Sequence, residues 1–131
     1  MAASPIPEEI RRFILTSIPS VPHLEALLLL RSQETECWQV ALVATRLYIS
    51  DKTAASLLDD LCHAGMAIEL DAGNGAFAYR YQPGTSRLRA AVDALADLYA
   101  RYLVDITHLI HSKLDRKAQQ FADAFKWRKD S

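Results

Sequence analysis

Residues 43–66, VATRLYISDKTAASLLDDLCHAGM, carry two short apolar stripes separated by a three-residue turn. Val40, Val43, Ala44 and Leu47 recur at the spacing of one helical face, which predicts a helix over Trp38 to Leu47. Tyr48-Ile49-Ser50 is too short to be anything but a turn, and Ser50 is a good N-cap for the helix that follows. That second helix, Asp51 to Ala64, buries Ala54, Leu57, Leu58 and Leu61, and Gly65 is suited to stop it. Ala67 to Asp71 and Ala76 to Tyr81 then alternate apolar and polar residues, with Gly73-Asn74-Gly75 between them for a tight turn. The stretch therefore predicts a helix-turn-helix running into a β-hairpin, over 37–82.

Outward from this unit the chain is helical on both sides. Over 7–32, Pro7, Glu8 and Glu9 open a helix whose apolar side is Ile10, Phe13, Ile14 and Ile18, and Pro19 ends it. Ser20 caps a second helix, with Pro22 in its first turn and Leu24, Leu27, Leu28 and Leu30 along it. Four consecutive leucines at 27–30 leave little face for solvent, so this helix is expected to be central. After Pro83-Gly84, Leu88, Val92, Leu95, Tyr99, Tyr102, Ile106 and Leu109 follow at steps of four and three. They predict a long helix over 86–113, about 40 Å long, with an apolar seam for a partner helix. Residues 114–131 are expected to form an amphipathic basic tail in which Phe121, Phe125 and Trp127 either fold back onto the chain's own body or its dimer mate, the plainer reading, or dock onto a partner.

With 131 residues, half of them apolar and about a quarter charged, the chain is expected to be one domain with one core. Net charge is near −1, but it is unevenly spread. From Glu34 to Gln82 seven acids face three bases, a net of −4; from Gly84 to Ser131 nine bases face six acids, a net of +3. The longest apolar run is too short to cross a bilayer, no secretion signal is visible, and Cys37 and Cys62 suit a reducing compartment; the cytoplasm is the expected setting.

Residues 43–50, the second helix through Leu61, Ala64-Gly65-Met66 and the glycine hairpin together resemble the winged helix-turn-helix of bacterial MarR-like transcription regulators. The likeness covers about a third of the chain. It implies a mainly α protein with a small β wing, twinned through its N- and C-terminal helices. It also implies that the second helix enters the major groove with its N-terminal residues at base edges. Lys52, Thr53, Ala55 and Ser56, with Asp59 and His63 further along, would then face DNA; Asn74 would be the wing tip and Arg80 a phosphate partner. The helix is acidic where a DNA reader is usually basic, since only Lys52 opposes Asp51, Asp59 and Asp60. Two functions stay open: a regulator binding duplex DNA as a homodimer, and an interaction module holding another regulatory protein.

Other constellations have plainer readings. Asp105, His108, His111 and Asp115 have helical spacing, yet a polar side is normal for a long helix and no metal is expected. Cys62 falls beside Leu58 as core filler rather than a redox sensor. Asp59 and Asp60 point about 100° apart and make no acid–base pair. Trp38, Tyr48, Phe77, Tyr79, Tyr81, Tyr99 and Tyr102 are expected to fill core and seam, with an effector pocket between winged domain and long helix as the lesser reading. No phosphate loop, nucleophile elbow or zinc-protease histidine pair occurs, so neither catalysis nor a cofactor is expected.

Overall fold

Leu24, Leu27 and Leu30 are fully buried, and with Ala26 they make α2 (Val21–Ser32) the helix around which the core is assembled. The computed structural model describes residues 5–73, 75–112, 120 and 122. Helix α2 begins as its sequence requires: the Ser20 hydroxyl accepts the His23 backbone N–H, and Pro22 sits in the first turn, where no donor is needed. Helix α1 (Glu8–Ser17) precedes it at an angle of 105° and buries Ile10 and Ile14. Helices α3 (Val40–Leu47) and α4 (Asp51–His63) pack against α2, and β2 (Ala67–Gly73) and β3 (Ala76–Tyr81) form the wing.

The turn between α3 and α4 is closed by backbone alone. Tyr48 takes the left-handed conformation, φ 58° and ψ 45°, so that its N–H reaches the Ala44 and Thr45 carbonyls. The Ile49 N–H also reaches Ala44 O, at 3.0 Å. Glycine usually fills such a position, because a Cβ there costs about 1 kcal/mol. Ser50 then caps α4, its hydroxyl accepting the Thr53 N–H at 3.0 Å. In the wing the turn glycines carry the positive φ values, 92° at Gly73 and 76° at Gly75, and the Asp71 carboxylate accepts the Gly73 N–H.

Two expectations are corrected. Trp38 does not start a helix: Trp38–Gln39 form a short strand, β1, antiparallel to β3, and the sheet order is β1-β3-β2. Trp38 lies opposite Tyr79 with both rings buried, and pairing covers an edge of β3 that would otherwise be open. The long helix over 86–113 is also not continuous. Helix α5 (Ser86–Arg101) stops where Tyr102 adopts φ −131° and ψ 49°, and a second helical run, α6, covers 103–112.

The reason for the break is burial. Val92 and Leu95 on α5 and Ile106 and Ile110 on α6 are all fully buried in the subunit's own core, which a straight rod of about 40 Å would overshoot. Of the expected seam, Val92, Leu95 and Ile106 are thus spent inside the subunit, while Leu88, Tyr99, Tyr102 and Leu109 are half-buried. Leu103 and Val104 are instead the exposed aliphatics of this region. Among the described residues two ion pairs tie α5 to the rest: Arg31 with Asp93, and Arg89 with Glu34. Asn74, Phe121, Phe125 and Trp127 lie outside the described residues.

Because Ser50 is the only side chain satisfying the start of α4 among the described residues, Ser50→Ala should destabilise the protein by about 1 kcal/mol. Urea unfolding checks this, with a lower midpoint and an unchanged slope.

Candidate nucleic-acid interface

Helix phase decides what α4 presents. Ala54, Leu57, Leu58 and Leu61 face inward, so at about 100° per residue the outermost row is Lys52, Ser56, Asp59 and His63. Thr53 and Asp60 lie together on one flank, and half-buried Ala55 and Cys62 on the other. All four residues of the outer row are exposed. Lys52 has no partner among the described residues, whereas His63 donates from Nδ1 to the Asp59 carbonyl at 2.8 Å, leaving Nε2 outward. Of the residues expected to face DNA, Lys52 and Ser56 are therefore brought into one row. Thr53 is turned aside and shares its hydroxyl with Ser50 at 2.9 Å.

The acids divide differently from their order in the sequence. Asp60 accepts a hydrogen bond from His23 Nε2 at 2.7 Å, and His23 Nδ1 is 2.6 Å from the Ser20 hydroxyl. This bridge clasps α4 to the start of α2 and gives the flanking Asp60 carboxylate a partner within the subunit. No local signal foretells it, because the partners are 37 residues apart. Asp60 nevertheless stays exposed, at 53%, and so do Asp51, Asp59 and, on β2, Glu69. The negative field of Glu69 and Asp59 is felt inside: after burial, these two carboxylates are the next causes that raise both the Cys62 thiol and the Tyr79 hydroxyl.

The other cations are partly engaged. Arg80 on β3 is half-buried and donates to the Gln82 side chain at 2.9 Å. Arg46, exposed on α3, holds its guanidinium 5.9 Å from the Trp38 ring centre. The aromatic set splits: Trp38, Tyr79 and Tyr81 fill the core, Tyr99 and Tyr102 are half-buried, and Tyr48 and Phe77 stand in solvent at 94% and 53% exposure. An open groove of about 730 Å³ runs between α1 and α5, lined by Ile10, Phe13, Leu88, Ala91 and Ala94, away from those rings. Among the described residues no three His, Cys, Asp or Glu side chains converge on a metal position.

Neither a protein-family model nor a curated protein sequence matches the chain. Solved structures do. ZitR of Lactococcus lactis is similar with a TM-score of 0.54 at 15% identity, over 98% of this chain and 83% of that one. MarR of E. coli in its apo form gives 0.51 at 14% identity, over 92% and 84%. The multiple antibiotic-resistance repressor of Listeria monocytogenes gives 0.50 at 17%, over 92% and 81%. The chain has the winged-helix fold of MarR-like proteins.

Cys62 is half-buried, and burial with its two acidic neighbours pushes its thiol up to about 11, so little thiolate forms near neutrality. At pH 8 iodoacetamide should label exposed Cys37 well before Cys62, read by mass spectrometry of the peptides. The folded state favours the neutral thiol, so its contribution to stability is complete below the ordinary thiol value of 9.0 and fades as pH rises towards about 11.

Proposed function

We propose that the protein is a transcription regulator that binds duplex DNA as a homodimer through α4 and the wing. The observation that carries this reading is the outer row of α4. With Asp60 on the flank and paired to His23, the row holds Lys52, Ser56 and His63 against the single carboxylate of Asp59. It is thus near neutral, rather than acidic as the composition of the helix suggests. The fold agrees with this role, and the similar Listeria protein is itself named a repressor.

Affinity for a polyanion comes chiefly from neutralised phosphates, and here few cations face outward. Duplex binding should therefore be modest and sharply salt-dependent. Pairing two subunits would double the contacts. Adjacent Leu103 and Val104, exposed at 53% and 61%, and the open groove between α1 and α5 are the apolar surfaces available for that pairing. Tyr102 and Leu109 beside them are half-buried.

The remaining acids favour one second reading. Asp51, Asp59 and Glu69 would suit a regulatory protein with a basic contact surface, so that the winged helix acts as an adaptor without specific DNA binding.

Fluorescence anisotropy on a random duplex at low salt separates the two. The regulator binds, and its log affinity falls linearly with log salt. Lys52→Ala reduces that slope by about 0.9 per subunit, and Asp59→Asn tightens binding a few-fold. An absence of duplex binding at low salt leaves the adaptor reading. In sedimentation at micromolar concentration the native chain should run as a dimer, and Leu103→Asp with Val104→Asp as a folded monomer.

A further inference from the structure

Tyr48 is anomalous in two respects at once. It is the most exposed large hydrophobic side chain among the described residues, at 94%, and it occupies a left-handed backbone position that disfavours any side chain. The hydrogen bonds closing the turn come from its backbone N–H and from that of Ile49, and glycine would make them equally well. The ring therefore contributes nothing visible to the subunit's own stability.

Its place in the turn is specific. Tyr48 lies two residues before Ser50, the N-cap of α4, so at most about 7 Å of extended chain separates it from the end of the helix that carries Lys52. The nearby polar groups are occupied elsewhere. Thr45 donates its hydroxyl to Ala41 O at 2.9 Å, Arg46 is held over Trp38, and the Thr53 and Ser50 hydroxyls bond each other. At this end of α4 the Tyr48 hydroxyl and the Lys52 ammonium are the outward donors without a partner among the described residues. When such a helix enters a major groove, the turn before it meets the rim, where the phosphates are.

We propose that Tyr48 is a phosphate-contacting residue, its phenol donating a hydrogen bond to the DNA backbone beside the groove entered by α4. This rests on the regulator reading above. The contact is neutral, so it positions the protein without releasing a counterion. It supplies affinity that an outer row with one lysine lacks.

The test combines duplex titrations across a salt series with thermal melting, on the native chain, Tyr48→Phe and Tyr48→Gly. Tyr48→Phe removes only the hydroxyl. It should weaken duplex binding about 5-fold and leave the slope of log affinity against log salt unchanged, unlike Lys52→Ala. Tyr48→Gly should weaken binding at least as much while its melting temperature stays level or rises, because the strained Cβ is gone. If the native chain binds duplex and both variants bind equally well, the assignment is overturned, although the regulator reading stands. If the native chain binds no duplex at low salt, the regulator reading fails first and this contact with it. A Tyr48→Phe variant that binds as the native chain does while Tyr48→Gly is weakened also overturns it, since the ring and not the hydroxyl would then be the contact.

Discussion

The apolar stripe of α4 has to be buried against α2, and most of what this molecule shows the outside follows from that constraint. Ala54, Leu57, Leu58 and Leu61 can reach the leucines of α2 in only one rotation of the helix. Burying a leucine contributes roughly 1.5–3 kcal/mol, and a rotation that exposed two or three of them would cost far more than any surface contact could return. The outward row is thereby fixed without any direct selection among its members. The clasp between His23 and Asp60 works in the same sense, because it joins α4 to the first turn of α2 at the edge of that buried contact.

Electrostatics would then set the terms on which the wing and α4 could meet a partner. The module over 37–82 has few cations, and Arg46 and Arg80 are each drawn partly to a neighbour within the subunit. Burial first, and then the field of Glu69 and Asp59, raise the half-buried Cys62 thiol and the buried Tyr79 phenol. A polyanion approaching this surface would gain from only a handful of contacts. Neutral donors such as hydroxyls would count for more than in a basic winged helix, and a twofold arrangement would multiply every small gain. A basic protein surface would instead find the carboxylates already in place. Both outcomes depend on the same exposed side chains, and discrimination between them is electrostatic rather than a matter of fold.

At the C-terminal end, one set of apolar residues answers two demands. A heptad-like seam from Leu88 to Leu109 is what a helix uses to pair with another helix, yet a small domain must first complete its own core. Here Val92 and Leu95 are buried on one side of Tyr102, and Ile106 and Ile110 on the other. The helix is interrupted at Tyr102 with both pairs covered, while Leu103 and Val104 are left outside. The exposed aliphatic surface is therefore Leu103 and Val104, two positions outside the predicted seam.

Much of the fold was legible in the sequence because it is written in local chemistry. Ser20 with Pro22 announces the start of α2, Ser50 that of α4, and the glycines around residue 74 the two strands of the wing, since each acts on backbone groups within a few residues of itself. The inward faces followed from periodicity for the same reason. The likeness to MarR-like proteins rested on these signals, and the solved structures agree with it. Only the tertiary structure could turn Trp38 into an edge strand, since that depends on Tyr79 lying opposite it. Only the tertiary structure could interrupt the rod at Tyr102, where neither glycine nor proline marks a stop and competition for the core decides. It also made Asp60 a partner of His23 and left Tyr48 in solvent. These outcomes are set by which surfaces far apart in the chain come to share one interior, and no window of neighbouring residues contains that information.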